Sequence, residues 1–247
     1  MRTAFLLGTL VGLLPATVVS QTLEQRIAAI GDGTARLSFA ARPGVCQDAA
    51  HHSIAELGST EWEPACERQL VRVALRIRDG NPVAVRTYVG GRWRAAPSAH
   101  DLGMVPANAA ASYLLRLAGQ SRAISGDPVL PATLADSVVV WPSLLALARA
   151  DKVPQDRRRS AIFWLGQAAG DSVAGALDSI VLDPSGTREL RKHAVFALSK
   201  RSPDEAVPAL IRIARTNRDP ELRRAALFWL GQSNDPRAIE VFEEILR

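Results

Sequence analysis

At 247 residues, with 47% hydrophobic and 22% charged side chains, the chain can bury an ordinary core and is not composed like a disordered polymer. Thirty Lys and Arg stand against 25 Asp and Glu, a formal net charge of +5. So small and interspersed a surplus does not on its own indicate nucleic-acid binding, none of which is expected, and gives only a mild preference for acidic partners.

The chain opens with Arg2 and an apolar run from Ala4 to Leu14, which Pro15 breaks before small and modest side chains up to Ser20. That is the layout of a secretory signal peptide over residues 1–20, with cleavage expected between Ser20 and Gln21. The run falls short of the roughly 20 apolar residues that a bilayer span takes. Nothing later in the sequence is longer, so the mature chain is expected to be periplasmic or secreted, without a membrane span.

Residues 21–105 read as a small β-rich cap domain. Leu23 to Ile30 is expected as a short helix, and Ala35 to Ala40 alternates like a half-buried strand. Cys46 and Cys66 are the two cysteines of the chain, and in an exported protein they are expected to form a disulfide. Closing a loop of that size would stabilise the fold by about 3 kcal/mol on chain-entropy grounds. His51 and His52 add ligand-type side chains, but Cys-x4-His-His fits no closed zinc motif, so no metal and no cofactor are expected. From Leu70 to Arg78, Val71, Val73, Leu75 and Ile77 occupy one face and Arg72, Arg76 and Arg78 the other. Asp79-Gly80-Asn81-Pro82 turns the chain, Val83 to Val89 returns, and Gly90-Gly91 turns again towards Arg92-Trp93. The expectation is an antiparallel sheet of three or four strands, too small to stand without cover.

Internal repetition dominates the remainder. Ala161-Ile162-Phe163-Trp164-Leu165-Gly166-Gln167 recurs as Ala226-Leu227-Phe228-Trp229-Leu230-Gly231-Gln232, with Ala194-Val195-Phe196-Ala197-Leu198-Ser199-Lys200 midway. Leu177, Leu210 and Phe242 keep the same register in the following helix, as do Ile180, Ile213 and Ile245. Trp141 to Arg149 matches Val207 to Arg215 and extends the array to four helix pairs. The first pair, residues 106–150, is atypical: Pro106 to Leu117 begins it, and Gly119 to Thr133 is an enlarged loop. Residues 155–247 hold three clear repeats, with Gly166 read as a helix stop and prolines near helix starts. One pair cannot bury its apolar face alone, so stacking supplies the core.

The unit Glu221 to Gly231, followed by Asp235 to Ile245, resembles the HEAT repeat, particularly its lyase-type HEAT-like variety. The resemblance implies a right-handed α-solenoid for residues 106–247; with the small antiparallel β-rich domain read from residues 21–105, the expected fold is α+β, mainly α. The whole chain is also similar to exported HEAT-repeat proteins of soil bacteria, a resemblance that carries no activity with it. Di-iron hydroxylases of this repeat class place His-Glu pairs on successive repeats; here the array has one histidine, His193, and no such pair. Lyase-type relatives act on bilin chromophores, but the resemblance is to the repeat alone.

No Gly-x-Ser-x-Gly motif occurs, nor a Gly-rich phosphate loop ending in Lys, so no catalytic residue is assigned. Two repeated features bear on binding. Arg158, Arg191 and Arg223 form one basic row, and Arg159, Lys192 and Arg224 the next; either would engage acidic groups, or be used up within the scaffold by Asp156, Glu189 and Glu221 or by loop carbonyls. Trp164 and Trp229 stand next to Phe163 and Phe228, and adjacent helical positions lie 100° apart, so one aromatic stripe faces outward unless both serve packing between repeats. The sequence therefore reads as a non-catalytic scaffold binding a protein or peptide of acidic character. The alternative is an enzyme, or enzyme subunit, with a ligand or metal site in the N-terminal domain.

Overall fold

The structure, a computed structural model, describes residues 21–45, 61–63, 69–168 and 172–246. The expected signal peptide, the Cys46–Cys66 disulfide and the His51-His52 pair lie outside the described residues.

Helix α1 (Leu23–Ala28) starts with a reciprocal cap, in which Gln25 N–H donates to Thr22 Oγ1 and Thr22 N–H donates to Gln25 Oε1. Six strands follow among the described residues: β1 (Gly33–Ala40), β2 (Trp62–Glu63), β3 (Leu70–Arg78), β4 (Asn81–Val89), β5 (Arg92–Trp93) and β6 (Ala99–Met104). Four make a sheet in the order β4-β3-β1-β6, while β2 pairs with β5. The alternation in β3 holds, with Val71, Val73, Leu75 and Ile77 buried at 2% exposure or less. Ala35, Leu37 and Phe39 of β1 join them in one core with the helices. Asp79 and Gly80 form the β3–β4 turn, both at positive φ (50° and 69°), the left-handed geometry that a two-residue hairpin needs. The sheet is not wholly antiparallel, because β6 runs parallel to β1. Its place lies on the edge of β1 away from β4, and the segment containing β5 carries the chain back across before β6 begins.

On the opposite face of the sheet, Trp62 stacks on Tyr88 at 5.3 Å and Trp93 meets Tyr88 edge-on at 5.5 Å. The guanidinium of Arg36 lies 4.8 Å from the Trp93 ring centroid and donates to Arg94 O at 2.8 Å. Arg72 donates to Ser38 Oγ and to the carbonyls of Gly90 and Gly91. The arginines that alternation places on this face thus tie down the β2–β5 cover.

The helices are α2 (Ala107–Ala118), α3 (Val129–Thr133), α4 (Trp141–Arg149), α5 (Gln155–Gln167), α6 (Ser172–Leu182), α7 (Arg188–Ser199), α8 (Pro203–Thr216), α9 (Pro220–Gly231) and α10 (Pro236–Leu246). They stack in two layers: α5, α7 and α9 side by side, and α4, α6, α8 and α10 against them. The expected enlarged loop contains α3, which packs against α5 in the first layer, while α2 bridges α3, α4 and β1. Pro203, Pro220 and Pro236 begin their helices, where a missing N–H costs least. Gly166 is no stop signal, since α5 continues through it to Gln167. A Cβ there would lie 2.9 Å from both Cβ and O of Ala197, so this glycine sets the close approach of α5 to α7.

Candidate functional site

The two basic rows have different fates. Arg158, 8% exposed, donates from Nε to Ala148 O at 2.8 Å, near the C-terminus of α4. Arg191 repeats the arrangement one unit on, donating from Nε to Val181 O of α6 at 2.8 Å. Arg223 donates from Nη1 to Asn217 O at 2.8 Å, at the end of α8. A cation there satisfies carbonyls that the helix leaves without partners and sits favourably at the negative end of its dipole. Of the two roles open to Arg158, Arg191 and Arg223, these contacts are those of a scaffold: the side chains clamp each helix end to the next helix.

Arg159, Lys192 and Arg224 follow one position later, 100° around each helix, and point elsewhere. Arg159 and Arg224 are exposed and Lys192 half-buried. Arg224 pairs with Glu221, whereas Arg159 and Lys192 have no ion-pair partner among the described residues. Four residues on, along the same helical face, stand Phe163, Phe196 and Phe228. Phe163 is 41% and Phe228 59% exposed. Phe196 is more covered because Trp229 of the next repeat leans on it at 5.1 Å, and Lys200 Nζ lies 5.1 Å from its ring centroid. The Trp position of the repeat after Phe163 is filled by Ala197, which leaves Phe163 open.

Trp164 and Trp229 are both half-buried but differ in surroundings. Trp229 sits among Phe196, Phe228 and Lys200. Trp164 meets Phe163 edge-on and also forms one wall of a cleft of about 370 Å³ beside residues 133–141. His193 lies on α7 next to the second basic row, and burial first, then the charges of Arg159 and Lys192, hold its pKa below the usual imidazole value against the opposing pull of Glu189. No group of three or more metal-ligating side chains forms among the described residues.

Residues 180–247 match the family model for HEAT repeats. The end of α6 and helices α7 to α10 thus match the HEAT-repeat pattern. A stretch of 95 residues is 33% identical to the bilin biosynthesis protein PecE of Mastigocladus laminosus, which amounts to 36% of this chain and 35% of that protein. The chain thus spans about a third of the length of the curated relative it matches.

Two further contacts of the helical array, made by Arg157 and Arg201, escape a reading of the repeats. Arg157 is 3% exposed and donates to Gln120 O and Arg122 O, each at 2.8 Å, with Ala118 O at 3.4 Å. Its equivalents are Leu190 and Leu222, so a charged residue occupies a core position of the repeat. That departure from the pattern is the signal available in the sequence. Arg201 likewise holds the end of α5 through Ala168 O at 2.5 Å and pairs with Glu205 at 3.1 Å.

Proposed function

We propose that this protein is a non-catalytic HEAT-repeat scaffold of the cell envelope that binds an acidic protein or peptide across the outer face of α5, α7 and α9. The observation that carries the reading is the second row. Arg159, Lys192 and Arg224 each precede a phenylalanine by four residues on one face, and Phe163 and Phe228 are open to solvent. Exposed aromatic anchors beside cations are the groups that dominate binding energy in protein interfaces. Trp229, supported by Phe196 and Phe228, extends the apolar part of the surface. Export rests on the composition of residues 1–20. Among the described residues no helix is long and apolar enough to cross a membrane. Bilin biosynthesis is the role of a relative of which this chain spans about a third, and we take no catalytic role from it.

Neighbouring helices of one layer stand roughly 8–10 Å apart, a distance covered by about three residues of extended chain. The partner should then present carboxylates about three residues apart, with apolar side chains between them. Selection of displayed peptides on residues 21–247 should enrich that pattern. Arg159→Glu/Lys192→Glu should abolish capture while the helical circular dichroism and melting temperature stay near those of the parent. Phe163→Ala/Phe228→Ala should weaken it. A selected pool without acidic enrichment, or one bound equally by the charge-reversed protein, would refute the reading.

A further inference from the structure

A cleft lies where the N-terminal sheet meets the array. Beyond β1 the chain continues as an extended strip: Ala41 bridges Ala135, and Arg42 N–H donates to Leu134 O at 2.9 Å. This pairing delivers the Arg42 side chain to the cleft of about 370 Å³ whose walls include Trp141, Trp164 and the Val138–Val140 segment. Arg42 is the only charged group among the described residues that line the cleft. It is half-buried, and among the described residues it makes no ion pair and no side-chain hydrogen bond. The two indoles on the walls make no ring contact with one another among the described residues. Thr133, Ser137 and Gln167 complete the polar lining, and Ser137 is held at a positive φ of 55°.

We infer that this cleft binds a small carboxylic acid with an aromatic or branched apolar body. The apolar part would lie between Trp141, Trp164 and the valines, and the carboxylate would take the fork of Arg42. A guanidinium matches a carboxylate with two parallel hydrogen bonds, and a partly desolvated one without a partner gains most from it. Small-molecule sites are mostly apolar concavities of about 300–1,000 Å³ with a few polar groups that fix orientation, often at domain junctions. The volume places the ligand at the small end of that range and makes the cleft too short for a folded partner. The inference is independent of the surface formed by Arg159, Lys192 and the phenylalanines.

The test uses 3-phenylpropionate and 4-methylpentanoate, each beside its primary amide, with residues 21–247 observed by saturation-transfer NMR and by quenching of tryptophan fluorescence. Each acid should bind at least about tenfold more tightly than its amide. Arg42→Gln should bring the acid down to the amide, Arg42→Lys should retain part of the difference, and Trp164→Leu should weaken acid and amide together. Equal binding of acid and amide to the unaltered chain overturns the inference whether or not the variants fold. So does an Arg42→Gln protein of unchanged melting temperature that keeps the acid affinity, or the absence of acid binding at about 10 mM.

Discussion

Replacing Arg157 with leucine makes the first repeat match the other two, and on the logic of repeat consensus it should stabilise the fold. The structure gives the opposite sign. Arg157 is 3% exposed and donates to Gln120 O and Arg122 O at 2.8 Å, fixing the turn that follows α2. Hydrogen bonds from a charged donor contribute about 1.5–3 kcal/mol each, so the two together contribute about 3–6 kcal/mol. A leucine in the same place would return about 1.5–3 kcal/mol through burial of apolar surface. Arg157→Leu should therefore destabilise by about 2 kcal/mol, and for a chain of this size that lowers the melting temperature by about 4–8 °C. Urea unfolding followed at 222 nm measures the free energy, and amide exchange at Gln120 to Ala123 should quicken because the loop loses its clamp. A variant as stable as the parent, or more stable, would show that the carbonyls find water without loss and that the clamp is incidental.

Three further expectations test the scaffold. Gly166→Ala should destabilise by about 1–2 kcal/mol, since the new Cβ meets the Ala197 backbone, whereas Gly231→Ala, with Phe242 Cζ 3.7 Å away, should be neutral or stabilising by up to about 1 kcal/mol; chemical denaturation separates them. His193 has a folded pKa below its unfolded value, so the folded state binds fewer protons. Its contribution is complete above the unfolded value of about 6.5 and is lost as pH falls through the folded one; His193→Gln should flatten the stability profile between pH 7 and 5, and an unchanged profile would refute the assignment. The hydrogen bond and charge of Arg237 hold the Asp235 carboxyl down to about 2. Arg237→Gln should let that carboxyl titrate near the ordinary aspartate value in a carbon-detected NMR experiment, and acid should then remove the contribution of Asp235 at a higher pH than in the parent.

Some of this architecture is written openly in the sequence because a single physical demand produced it. Val71, Val73, Leu75 and Ile77 alternate since one side of β3 faces the core, and Asp79-Gly80 marks the hairpin because both positions need positive φ. The repeated Phe-Trp-Leu-Gly segments locate α5 and α9 through their apolar period. Other features were hidden because two demands select the same residue. Gly166 reads as a helix stop or as a contact point, since both want no Cβ, and the approach of Ala197 decides which. Ala99 to Met104 has no buried residue and shows no alternation to announce β6, so its parallel pairing with β1 emerges from topology alone. Arg157, Arg158 and Arg159 are identical neighbours in the sequence, yet two of the three are buried.

That last segment explains how a basic row becomes available for binding. Stacked helix pairs bring the C-terminus of one helix, with its unpartnered carbonyls, against the flank of the next, and water is excluded there. Arg158 and Arg191 reach back ten residues to those carbonyls, so a cation at this position is required by the stack itself. A residue one step further along the helix is turned by 100° and cannot reach them. Arg159 and Lys192 thus keep their charges without a structural duty among the described residues, on the same face as Phe163. Charge reversal at Arg158 should accordingly unfold the array, whereas reversal at Arg159 should leave it folded and change only what it binds.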